Sequence, residues 1–131
     1  MLTGGDQALW IALHEEGIKM IVGHSEPSAV YMADGYARAT GRPAVTYGQA
    51  GPGAANVAAA LADPYWAQSP VMALTGATAS GMRHANEYQA LSQELMFVPV
   101  TRWTGRVENP AQAAALLRHA LQMTQAAGGP T

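Results

Sequence analysis

The stretch PAVTYGQAGPGAANVAAALADPYWAQSPVMALTG, Pro43 to Gly76, reads as strand, turn, helix and strand. PAVTYG (Pro43 to Gly48) and SPVMALTG (Ser69 to Gly76) are short apolar runs with β-branched residues, the pattern of buried strands. Between them, QAGPGAAN (Gln49 to Asn56) is a glycine-rich turn that opens an alanine-rich helix ending near Ala62 to Trp66. Two strands joined through a helix make a crossover unit, and such units build a mainly parallel sheet.

Working outward, the same alternation continues. Upstream, GHSEPSAVYMADGYARATG (Gly23 to Gly41) predicts a helix over Ser28 to Thr40. Ser25 or Glu26 caps it, Pro27 suits the first turn and Gly41 ends it. IKMIVG (Ile18 to Gly23) reads as another buried strand. Before it, Leu9, Ala12 and Leu13 keep helical spacing, Gly17 is a C-terminal stop, and Thr3 with Asp6 resembles a capping box. Downstream, ATASGMRHAN (Ala77 to Asn86) reads as a loop, Glu87 to Leu95 as a short helix and Val98 to Trp103 as a fourth strand. Asn109 and Pro110 then cap a helix running to about Ala127, with Ala113, Leu116, Leu117, Ala120 and Leu121 as its apolar stripe. The fold class that results is α/β. In such sheets ligands bind beyond the carboxyl ends of the strands. Glu26, the Gly51-Pro52-Gly53 turn and the loop after Gly76 all follow strands, so they share that edge.

Composition narrows the possibilities. Of the 131 residues, 49 % are apolar and 12 % charged, so part of the apolar surface is expected to meet a partner. The net charge of −2 with no basic run argues against nucleic acid. No cysteine is present, which removes disulfides, thiolate metal sites and thiol nucleophiles. Neither a signal peptide nor a bilayer-spanning apolar stretch is evident, so a cytoplasmic, non-membrane protein is expected.

Taken singly, the candidate residues have ordinary readings too. Gly51, Pro52 and Gly53 form either a tight turn or a backbone cradle for a ligand; they match neither a Walker loop nor the dinucleotide fingerprint. Asn56 either makes a local hydrogen bond or reaches the site. Glu26 either stabilises a helix start through the dipole, worth about 0.3–1 kcal/mol, or presents a carboxylate to a ligand. His14, His24, His84 and His119 show no metal-ligand spacing, and the serines lack a nucleophile elbow.

The ordered set of motifs resembles a known family. The string from Glu26 to Gly41, with MADGYAR, is followed by AGPGAANVAAALADPYWAQSPVMALTG, EYQALSQELMFVPVTRW and NPAQAAALLRHALQMTQAAGGP. Together they are similar to the N-terminal, pyrimidine-binding domain of thiamine-diphosphate-dependent enzymes, nearest the acetolactate synthase and 2-oxoacid decarboxylase group. The resemblance implies a three-layer α/β sandwich with a mainly parallel sheet, and residues 1–131 as a single such domain, incomplete relative to the family.

It implies that Glu26 is the activating acid, hydrogen-bonded to N1′ of the cofactor's aminopyrimidine so that the ring's exocyclic nitrogen can take the C2 proton of the thiazolium. Gly51, Pro52, Gly53 and Ala54 match the family turn against cofactor and substrate. Asn56 matches a polar residue common there. Gln89 matches a glutamine on the substrate side, although Tyr88 and Ala90 replace the usual Phe and acid around it.

Two departures shape the expectation. Relatives carry a helix and a strand where MIVGHSE runs directly from one motif to the next. The Gly-Asp-Gly and Asn-Asn signature that holds Mg²⁺ and the diphosphate is absent. The expected role is therefore half a site: it takes the aminopyrimidine, while a partner diphosphate-binding domain or subunit, in a homo- or hetero-oligomer, holds Mg²⁺. The substrate would be a small 2-oxo acid. The alternative is a catalytically silent, truncated relative that acts only as an oligomerising or interaction domain. A weaker alternative is an independent anion- or nucleotide-binding module. The missing elements leave about four strands.

Overall fold

In the computed structural model, which describes residues 6–82 and 87–131, the crossover unit is the centre of the molecule. Strand β1 (Ala44–Gly48) and strand β2 (Val71–Thr75) pair in parallel, with Ala44 opposite Val71 and Gly48 opposite Thr75. They are joined by helices α3 (Pro52–Ala60) and α4 (Ala62–Trp66). Pro52 stands at the first position of α3, where its missing N–H leaves no bond unmade. Helix α1 (Gln7–Glu15) and helix α2 (Glu26–Thr40) precede β1, while α5 (Gln93–Phe97) and α6 (Ala113–Ala126) follow β2.

The ends of α2 are built as the sequence predicts. Ser25 is extended and its hydroxyl accepts from the Ser28 N–H; Pro27 lies in the first turn; Gly41 closes the helix at φ +66° with its N–H on Ala37 O. Gly17 likewise takes φ +68° just beyond α1. Asp6 precedes α1 without a side-chain cap bond. Thr3, its expected partner, and His84 lie outside the described residues.

One face of the sheet is covered by α2 and α3. Val30, Ala33 and Ala37 from α2 pack with Ala54, Val57, Ala58, Ala60 and Leu61 around Ala44 and Val71. The small residues of α3 thus serve close packing inside the fold. Gly48 shows how close: an added Cβ would lie 2.6 Å from Val57 Cγ2 and 3.0 Å from Gly53 O. On the far side of β2, α6 follows the 3₁₀ turn Pro110–Gln112, whose cap is the Asn109 side chain accepting from Ala111 N–H. Ala120 and Thr124 are its buried positions. Thr131 then meets β2, its N–H donating to Val71 O at 3.0 Å and its carbonyl accepting from Ala73 N–H at 2.7 Å. Pro130 O accepts from the Arg102 N–H, also at 2.7 Å.

Two predicted strands are absent among the described residues. Ile18 to Gly23 is irregular and exposed, with Val22 at 91 %. A strand exists only where a neighbour supplies hydrogen bonds, and no described strand lies beside this segment. Val98 to Trp103 is also no strand: Val98–Val100 forms a 3₁₀ turn directly after α5, with Pro99 in its first turn. Proline fits such a turn start and cannot donate to a ladder. The short helix predicted at Glu87 to Leu95 lies at Gln93–Phe97 instead. The described sheet therefore has two strands rather than about four.

Candidate functional site

The carboxyl end of β1 runs into the glycine bend, and the start of α2 lies beside it. Both helices flanking the bend pack on the same sheet face, which brings Glu26, the first residue of α2, to α3. Asn56, one turn into α3, donates its side-chain N–H to Glu26 Oε2 at 3.1 Å. The other oxygen, Oε1, lies 3.4 Å from where a Cβ on Gly53 would stand. Glu26 is half-buried. The helix N-terminus offers favourable dipole ends to its negative charge. The carboxylate is therefore held by one amide, in one direction, over bare backbone.

The bend is shaped by its glycines. Gly51 takes φ +66° and ψ −117°, a conformation that L side chains avoid. A Cβ there would lie 2.7 Å from Gln89 Cβ and 2.9 Å from Gln89 O. The segment bearing Gln89 thus lies directly on the bend. Gln89 itself has φ +64°, and its Oε1 accepts from Gln49 Nε2 at 3.3 Å. Ala54 is fully buried beneath. Glu26, Gly51, Pro52, Gly53, Ala54, Asn56 and Gln89 are accordingly brought to one rim of the sheet.

Two residues of this rim were not singled out from sequence. Gln49 bridges the bend to Gln89. Its signal was its position, the first residue after a strand and before a glycine-rich turn. Gln93 is buried at 6 % exposure; its Oε1 accepts from Thr75 Oγ1 at 2.7 Å and its Nε2 donates to Gly76 O at 2.8 Å. It ties α5 to the end of β2 and so positions the Gln89 segment. No spacing rule marks such a glutamine. His24 is exposed on the approach to α2.

Two pockets lie away from this rim. Cavities of about 380 and 430 Å³ are lined by residues such as Thr75, Phe97 and Thr104, and by Leu91 and Leu95, with Glu94 and Arg106 shared. Neither is lined by Glu26, Asn56 or the glycine bend. On the rim itself Pro52 and Asn56 are exposed and Glu26 is half-buried, so the site is reached from solvent. Such a site suits a ligand that is covered from its other side.

Comparison with known proteins gives this geometry a family. Residues 2–98 match the thiamine pyrophosphate enzyme, N-terminal TPP binding domain, so the chain belongs to that family. It is 37 % identical over 115 residues to a sulfoacetaldehyde acetyltransferase of Alcaligenes xylosoxydans xylosoxydans, a match spanning 88 % of this chain and 19 % of that protein. It is 30 % identical over 114 residues to a probable acetolactate synthase large subunit of Methanococcus aeolicus, spanning 87 % and 19 % respectively. With 2-hydroxyacyl-CoA lyase 2 of Bos taurus it shares 33 % identity over 125 residues, 95 % of this chain and 20 % of the relative. The matched region thus spans about a fifth of the length of these relatives. The α/β fold with a parallel strand pair is the fold expected of such a domain, and thiamine pyrophosphate (thiamine diphosphate) is the ligand of the family. Among the described residues, no three His, Cys, Asp or Glu side chains gather as a metal site requires, and no helix is long and apolar enough to cross a membrane.

Proposed function

We propose that this chain supplies the pyrimidine side of a thiamine diphosphate site in an enzyme acting on 2-oxo acids, by acetolactate synthase-like carboligation or by decarboxylation. In this reading residues 1–131 are one pyrimidine-binding domain that lacks some elements of its relatives. A partner diphosphate-binding domain or subunit completes the site and holds Mg²⁺. The observation that carries the reading is the Asn56 to Glu26 hydrogen bond of 3.1 Å above Gly53.

The residues present fit the pyrimidine ring. The ring is flat and carries nitrogens that exchange a proton with a carboxyl group. Gly53 leaves beside Glu26 Oε1 the space that a side chain would fill. Asn56 engages Oε2 and so stops the carboxylate from rotating, leaving Oε1 directed to the ligand. Glu26 is the acid that holds the proton at the ring nitrogen. Gly51 and Pro52 set the bend, and Ala54 keeps α3 close beneath it. Gln89, steadied by Gln49, stands on the substrate side. The cofactor, when bound, supplies the carbon nucleophile and then the electron sink for the 2-oxo acid.

The test is calorimetry with thiamine diphosphate and Mg²⁺, with and without a complementary diphosphate-binding subunit, followed by 2-oxo acid turnover. The complemented complex is expected to bind the cofactor. Glu26→Gln should slow turnover by about 10²–10⁴-fold, the range for removing a positioned proton-transfer group. A complemented Glu26→Gln protein that turns over as fast as the parent overturns the role of Glu26. Absence of cofactor binding in the complemented complex instead supports a catalytically silent interaction domain.

A further inference from the structure

Between α1 and α2 the chain presents apolar residues to solvent. Ile18, Met20, Ile21 and Val22 are 53, 43, 70 and 91 % exposed. Isoleucine and valine are strand formers. Residues 19–22 make no backbone hydrogen bond with another described residue. Consecutive exposed apolar residues with free backbone are the usual template for adding a strand.

The sheet carries the matching vacancy. Ala44 N–H donates to Pro70 O, and Gly48 O accepts from Gly76 N–H, so these two residues turn their peptide groups toward β2 and its flanks. In a parallel ladder the residues between alternate, so Val45 and Tyr47 turn theirs to the opposite edge. No described strand lies on that edge, and Val45 is 53 % exposed. The chain thus carries an unpaired strand former and an unpaired strand edge that do not meet each other.

We propose that Ile18 to Val22 of one copy pairs with the open edge of β1 in a second copy, and that reciprocal pairing closes a two-fold dimer. Within its own chain the segment is held at both ends. Gly17 closes α1 before it. After it, Gly23 is pressed on α2 so closely that a Cβ would lie 3.3 Å from Ala29 N and Met32 Cε. The pairing is also compatible in charge: Lys19 is the segment's one charged residue, and Ala44 to Gly48 carries none. When the same two copies exchange strands about a two-fold axis both open edges are used and the assembly stops at two, whereas the same contact made head to tail would keep growing. This inference does not rest on the cofactor reading, and its test reads mass and cross-linking.

The protein has no cysteine, so introduced thiols report without background. Chains bearing Ile21→Cys or Val22→Cys are mixed with a tagged chain bearing Val45→Cys and oxidised. The expected results are a mixed disulfide between two different chains, a parent that sediments at twice the chain mass, and a dimer dissociation constant raised at least tenfold by Ile21→Lys with Val22→Lys. Three results would each overturn the proposal. One is a parent that stays at single-chain mass at every concentration. The second is a disulfide that forms only within a chain bearing both Val22→Cys and Val45→Cys. The third is a dimer unaffected by the two lysines.

Discussion

Gly51→Ala tests whether the bend and the Gln89 segment are coupled, and Gly41→Ala is its internal control. Both glycines have φ +66°. Gly41, at ψ 11°, is left-handed helical, where an L residue costs about 1–2 kcal/mol, while Gly51, at ψ −117°, lies outside the regions open to L residues and should cost at least as much. Gly41 has nothing within 4 Å of an added Cβ, so its loss should stop there. At Gly51 the new Cβ would come within 2.7 Å of Gln89 Cβ and 2.9 Å of Gln89 O. Carbon atoms make their best contacts at about 3.5–4.0 Å, so the overlap approaches 1 Å and Gln89 must yield. Overpacking of this kind adds about 1–3 kcal/mol. With a urea slope of about 1–3 kcal/mol per M, the Gly51→Ala midpoint should fall about 1 M further than that of Gly41→Ala. In amide spectra, only Gly51→Ala should displace Gln49 and Gln89. Equal midpoints, together with an unmoved Gln89 amide, would refute the coupling.

Thr124→Val should lose about 1–3 kcal/mol in urea titration, because the fully buried hydroxyl donates to Gly129 O and its removal strands that carbonyl. Thr124→Ser should keep most of the stability, and the Thr131 amide, which donates to Val71 O, should exchange faster in the valine variant only. Burial, reinforced by the Asp6 carboxylate, raises the ionisation of the Tyr47 hydroxyl above the ordinary tyrosine value. The neutral phenol is thus favoured in the folded state, so its contribution is complete below pH about 10 and is lost as the pH rises beyond it. One of the five tyrosines should therefore titrate late in ultraviolet absorbance, and Tyr47→Phe should flatten the alkaline fall in stability.

Legibility of the fold followed the range of the interactions involved. The helix bounded by Ser25 and Gly41 was readable because its cap, its first-turn proline and its closing glycine act within one turn of the chain. The β1–α3–β2 unit was readable for a similar reason: two short apolar runs joined through an alanine-rich helix favour parallel pairing. Ile18 to Val22 has a strand's residues, but its state is decided by a neighbour that the local pattern cannot supply. The strand expected at Val98 to Trp103 rested on hydrophobicity alone. Pro99 carried the contrary signal, and the Thr101 hydroxyl donating to Phe97 O continues the turn that Pro99 begins.

The rim was legible as residues but not as a structure. Spacing could place Glu26 and the glycine bend at the ends of strands. It could not show that Asn56, thirty positions later in the chain, holds the carboxylate, because that contact depends on how α2 and α3 pack. Val30, Ala33 and Ala37 meet Ala54, Val57 and Ala58 in one core, and the interhelical distance set by these small side chains leaves Asn56 within 3.1 Å of Glu26. Enlarging an alanine between the two helices should push them apart. The direction of the carboxylate is therefore a property of the alanine-lined interface beneath it. Ala58→Leu, buried in that core, should lengthen the Asn56 to Glu26 contact, and a structure of the variant with the contact still at 3.1 Å would refute this.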